Sequence, residues 1–116
     1  MKVLIVDDEP LVRLSLSRVF SKRGHEVFVA EDGLQGEKVW CETNPDIVVL
    51  DVLMPGLTGP QLIDKVKDKT EAKIVLISAY AGEYNVDSAK KLGADLFIQK
   101  PFADVAQVAE QIEAIG

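Results

Sequence analysis

Five short apolar runs, at Val3–Val6, Val27–Ala30, Ile47–Leu50, Ile74–Ile77 and Leu96–Ile98, alternate with five segments long enough for a helix. The runs are rich in β-branched residues and nearly continuous in hydrophobicity, the pattern of parallel strands covered on both faces. Val27–Ala30 is the weakest of them and reads as an edge. The intervening segments carry apolar residues at helical spacing. The first holds Leu11, Leu14, Leu16, Val19 and Phe20, with Pro10 near its start and Gly24 at its end. The second runs from a capping Asp32 to Asn44-Pro45 and contributes Leu34, Val39 and Trp40. The third begins near Pro60 and contributes Leu62, Ile63 and Val66. The fourth, about Tyr84 to Leu92, is the least periodic and stops at Gly93. The last follows Asp104 and sets Val105, Val108, Ala109, Ile112 and Ile115 on one face. A strand-helix unit repeated five times predicts an α/β sheet with right-handed crossovers. With no linker or repeat in 116 residues, the chain reads as one domain, 1–116, large enough for a real core.

In a parallel sheet all carboxyl ends share one edge, where ligands bind at the reversal of strand order. The first strand ends in Asp7-Asp8, the third in Asp51, the fourth in Ser78 and the fifth in Lys100. Three carboxylates in one crevice repel unless a cation neutralises them. Hard oxygen ligands with room for water and a phosphate oxygen select Mg²⁺, with Mn²⁺ as a substitute. Lys100 supplies a compact charge suited to a phosphate oxygen, and Ser78 a hydroxyl donor. A carboxylate ringed by metal, ammonium and hydroxyl is equipped to form an aspartyl phosphate, with Asp51 attacking phosphorus. The remaining composition narrows the setting. A net charge of −6 makes a poor direct ligand for nucleic acid. No run approaches the ~20 apolar residues of a membrane span, and the opening strand argues against a signal peptide. The single cysteine, Cys41, allows no internal disulfide and suits the cytoplasm.

These residues resemble the receiver domain of two-component response regulators, of the single-domain chemotaxis type, over essentially the whole chain. "VDDEP" at 6–10 matches the acid pair and "LDVLMPGLTG" at 50–59 the phosphoacceptor loop. "LISA" at 76–79 matches the hydroxyl position, and "KPF" at 100–102 the lysine followed by a cis-prolyl bond; "EDG" at 31–33 and "LGA" at 92–94 fit as well. The resemblance implies a flavodoxin-like, doubly wound (βα)5 fold with strand order 2-1-3-4-5. It implies Asp51 as phosphoacceptor, Asp8 as direct metal ligand, Asp7 mainly through water, and the backbone carbonyl of Leu53 as a further ligand. Ser78 and Lys100 would hold phosphoryl oxygens. The donor would be a histidine kinase, a phosphotransfer protein or a small phosphodonor. Ser78 and Phe97 would relay phosphorylation to the surface of the fourth helix, fifth strand and fifth helix, for a downstream target or a phosphorylation-dependent dimer. Leu53 and Tyr80, each two residues past a site residue, would flank the approach of water and predict slow self-dephosphorylation. Phe97 stands where tyrosine is frequent and Ser78 where threonine is, which softens the coupling of phosphorylation to shape.

Plainer readings compete. Asp7, Asp8 and Glu9 can cap the first helix; Asp51 can be a turn residue before Pro55-Gly56; Ser78 can bond backbone locally; Lys100 can be a surface lysine and Phe97 plain core. His25, at a loop-to-strand junction, reads as solvated without a partner, and Trp40 and Cys41 as packing. A haloacid-dehalogenase-type phosphohydrolase would use a similar Asp, hydroxyl, Lys and Mg²⁺. It needs an acid two residues after the nucleophile, where Leu53 cannot move a proton. A flavin-binding flavodoxin needs a polar phosphate loop where "DDEPL" stands, and a pseudo-receiver docking module usually lacks part of the pocket.

Overall fold

The computed structural model describes residues 1–79 and 86–116, the side chains of 86–88 excepted. Strands β1 (Lys2–Val6), β2 (Glu26–Ala30), β3 (Ile47–Asp51), β4 (Lys73–Ser78) and β5 (Leu96–Gln99) alternate with helices α1 (Pro10–Lys22), α2 (Gly33–Thr43), α3 (Gly59–Val66), α4 (Val86–Lys91) and α5 (Val105–Ile115). All strand pairs are parallel, in the order β2-β1-β3-β4-β5. This is the flavodoxin-like arrangement expected, with β2 at an edge.

Strand alternation sorts the apolar residues into two layers. Leu4, Val6, Val48, Leu50 and Leu76 face Trp40, Leu62, Ile63 and Ala89, so α2, α3 and α4 cover one side. Val3, Ile5, Ile47, Val49, Val75 and Ile77 face Leu16, Phe20, Val108, Ala109 and Ile112, so α1 and α5 cover the other. The three central strands are buried on both faces, which is why they read as continuous apolar runs. Local chemistry fixes the helix ends. Asp32 accepts from Gln35 N and Asn44 closes α2 in the left-handed region. Thr58 and Gln61 form a reciprocal capping box at α3, and Asp104 accepts from Ala106 N and Gln107 N at α5. The expected start of the fourth helix, Tyr84, lies outside the described residues; α4 is described as Val86–Lys91.

Expectations fail at five residues. Leu11, Leu14 and Leu34 are exposed at 77%, 46% and 60%, so the buried face of α1 rests on Leu16 and Phe20 instead. Cys41 is exposed beside the buried Trp40, whose indole donates to Thr70 Oγ1 at 3.0 Å. His25 is neither solvated nor without a partner. Its Nε2 lies 2.6 Å from a Glu113 carboxylate oxygen, its Nδ1 3.2 Å from the Met1 amine, and its ring meets Phe20 edge-on. Glu113 also takes a forked pair of bonds from Arg23. Arg23 first, and His25 second, hold its carboxyl down at about 2.

Candidate functional site

The site lies at the carboxyl edge of the sheet, where β1 and β3 send their chains to opposite sides. Asp7 follows β1, and its N–H donates to Ala30 O at 3.2 Å, so the backbone stays in the sheet while the side chain is fully buried. One carboxylate oxygen of Asp7 accepts from Glu9 N at 2.8 Å, and Arg13 donates to the Asp7 carbonyl at 2.7 Å. Glu9 occupies the N-cap of α1 without a capping side-chain bond. The three acids therefore do not serve as caps. Asp8 and Glu9 are exposed at the pocket mouth, above the buried Asp7.

Asp51 is the last residue of β3 and only 5% exposed. The loop after it is anchored from below. Val52 N donates to Ile77 O at 3.0 Å, Gly59 N donates to Val52 O at 2.9 Å, and Val52 and Met54 are buried. Leu53, between them, is left 44% exposed and lines the pocket. Gly59 is required by close approach, since a Cβ there would sit 2.5 Å from the Asp51 carbonyl oxygen.

Lys100 enters from the far side of the sheet, 6% exposed, with the bond to Pro101 cis as expected. Its ammonium donates to Asp7 at 3.0 Å and to Glu9 at 2.8 Å, and stands 3.4 Å from Asp51 Oδ2. Ser78 is buried at the end of β4, and its carbonyl accepts from Lys100 N at 2.8 Å. Asp8, Glu9, Asp51, Leu53, Ala79 and Lys100 line a cavity of about 280 Å³. Half-buried Phe97 lies on β5 opposite Leu76, against the α2–α3–α4 layer. Tyr80 lies outside the described residues.

The electrostatics follow from burial. Burial, then the neighbouring Asp7 charge, push the Asp51 carboxyl up to about 7 against the pull of Lys100. Asp7 is also raised, by burial above all. Burial works against the charged form of Lys100, but the bonds to Glu9 and Asp7 and the Asp51 charge overcome it, and its proton is held above the ordinary lysine range. One ammonium thus faces several carboxylates. Asp7, Asp8, Glu9 and Asp51 each offer an oxygen within 4.8 Å of the others, an all-oxygen donor set short of positive charge. That set fits a hard divalent cation.

The structure therefore brings Asp7, Asp8, Asp51, Leu53, Ser78 and Lys100 to one edge, as the strand ends implied. Glu9 is the residue that sequence reasoning left out. It was legible only as a third acid, and its bond to a lysine 91 positions away was not.

A family model described as response regulator receiver domain matches residues 3–113. The chain belongs to that family. It is 33% identical over 113 residues to sporulation initiation phosphotransferase F of Bacillus subtilis, covering 97% of this chain and 90% of that protein. It is also 33% identical to the transcriptional regulatory protein CseB of Streptomyces avermitilis over 97% of this chain, but spans only 48%, about half, of that relative. Among solved structures, the Thermotoga maritima response regulator protein TrrA, in complex with Mg(2+)-BeF, superposes with a TM-score of 0.85 at 32% identity, covering 99% of this chain and 98% of that one. Receiver domains are phosphorylated signalling modules of two-component systems rather than enzymes of metabolism. They work with histidine kinases or phosphotransfer proteins on one side and downstream targets on the other. No helix among the described residues of this receiver is long and apolar enough to cross a membrane.

Proposed function

We propose that this receiver accepts a phosphoryl group on Asp51 from the phosphohistidine of a histidine kinase or phosphotransfer protein. An Asp51 carboxylate oxygen attacks phosphorus, the phosphorus–nitrogen bond breaks, and the imidazole leaves with the bonding pair. The observation that carries the reading is the meeting of buried Asp51 with Asp7 and Lys100 from opposite sides of the sheet. Asp8, Asp51 and the Leu53 carbonyl would hold Mg²⁺, or Mn²⁺ in its place, with Asp7 acting through water. When bound, the cation offsets the charge of the carboxylates and of the transferring group. Lys100 and Ser78 would hold phosphoryl oxygens. That the similar TrrA was solved in complex with Mg(2+)-BeF supports the pairing of a cation with a phosphoryl group in this reading.

Phosphorylation would draw Ser78 toward Asp51 and admit Phe97 to the space behind, re-facing α4, β5 and α5 for a partner. Leu53 and Tyr80 would shield the bound phosphoryl group from water, giving a long-lived signal. The exposed Leu53 at the mouth of the cavity supports its half of that reading.

The test is incubation with acetyl phosphate and Mg²⁺, read by intact mass and by backbone NMR. One acid-stable, base-labile phosphate is expected, absent in Asp51→Asn, because an amide is not a competent nucleophile. Mg²⁺ alone should shift resonances at residues 7–9 and 51–54. Labelling that survives Asp51→Asn moves the chemistry elsewhere, and indifference of those resonances to Mg²⁺ removes the cation site.

A further inference from the structure

The geometry points to Glu9 as a positioning residue that acts through Lys100, holding its ammonium away from the place where a phosphoryl oxygen would bind. This rests on the proposed phosphoryl acceptance at Asp51. An ammonium has three N–H donors. Here three carboxylates surround it, Glu9 at 2.8 Å, Asp7 at 3.0 Å and Asp51 at 3.4 Å. Glu9 and Asp7 each accept a hydrogen bond from it, whereas Asp51 stands at ion-pair distance only. A phosphoryl oxygen arriving on Asp51 draws the ammonium toward itself, so the hold of a present partner must loosen.

The three are not equally able to leave. Asp7 is fully buried, with its other oxygen fixed by Glu9 N. Asp51 is the group that carries the phosphoryl. The Glu9 side chain is 57% exposed and makes no other side-chain bond among the described residues. It can turn into solvent at small cost, so it is the partner that yields. Glu9 also has the shortest of the three contacts, and the Lys100 ammonium lies toward it rather than toward Asp51. In the unphosphorylated state Glu9 thus satisfies a buried cation that would otherwise lie closer to Asp51. On phosphorylation its release sets part of the resistance to closing the site.

Two substitutions separate this role from a general effect of charge. Glu9→Ala removes both the carboxylate and its bond. Glu9→Asp keeps the charge at the pocket mouth but is one methylene shorter and loses the reach to Lys100. Both sit at an exposed position whose backbone N–H, the group bonded to Asp7, any residue retains. The first readout is the Lys100 ammonium signal in ¹⁵N NMR without Mg²⁺, which should shift and exchange faster with water in both variants. The second is the dissociation constant for fluoroberyllate, a stand-in for the phosphoryl group on Asp51, at saturating Mg²⁺. It should fall about two- to five-fold in both variants, the scale of a partly exposed ion pair. An unchanged Glu9→Asp variant reduces Glu9 to its charge and overturns the proposal, as does weaker fluoroberyllate binding in both. A wild type that takes up no fluoroberyllate overturns the phosphoacceptor reading and this proposal with it, whereas uptake with Glu9→Asp unchanged overturns this proposal alone.

Discussion

Replacing Asp51 by Asn should stabilise the metal-free protein at neutral and alkaline pH. Asparagine keeps the shape and an acceptor for Lys100 while removing a carboxylate whose ionisation the site resists. Burial and the Asp7 charge move that carboxyl from its ordinary 3.8 to about 7. The folded value is the higher one, so the native chain keeps a proton that the unfolded chain has released. Stability is then lost as pH rises from about 4 through about 7. A move of about three pH units, at about 1.4 kcal/mol each, sets a ceiling of about 4 kcal/mol. The pocket opens to solvent, and screening lowers the expected gain to about 1–2 kcal/mol. For a chain of this length that corresponds to roughly 3–10 °C in melting temperature. The assay is thermal unfolding by circular dichroism in EDTA from pH 4.5 to 8.5. The two proteins should nearly coincide at the acid end and diverge steadily, with the variant higher above pH 7. Added Mg²⁺ should raise the wild type more than the variant. A variant no more stable at pH 8, or a gap that ignores pH, would refute the reasoning.

Gly59→Ala, which drives a Cβ against the Asp51 carbonyl, should cost about 1–3 kcal/mol in urea unfolding and slow acetyl phosphate labelling; equal labelling would separate loop packing from the site. Glu113 is held at about 2 by Arg23 and His25, so its contribution is complete above about pH 4.5 and lost as pH falls toward 2. Glu113→Gln should therefore be less stable at pH 7 and converge with wild type near pH 2, as read by denaturant midpoints. Leu53→Asn and Tyr80→Glu should each speed the decay of phosphorylated protein after donor removal at constant Mg²⁺; fast wild-type decay that neither changes would end the shielding idea.

The strand ends were legible because each apolar run stops abruptly on a polar residue, and parallel topology sends all those stops to one edge. Period alone does not say how wide the buried arc of a helix is. Leu11, Leu14 and Leu34 fit helical spacing, yet they lie beyond the arc that the sheet covers. Partners far apart in sequence left no local trace. His25 finds Glu113 across 88 positions, and Glu9 finds Lys100 across 91. An acid after an acid pair looks like a cap until the lysine that claims it is placed in space.

The pocket takes its carboxylates from β1 and β3 and its ammonium from beyond β5, the last strand of the sheet. A chain folded only through β4 would hold Asp7 and Asp51 with no ammonium to answer them. β5 therefore brings positive charge to an edge where β1 and β3 place negative charge, beside the apolar contacts it makes. The charge balance of the pocket is in this sense a certificate of complete folding: it is met only when β5 is in place and Lys100 with it.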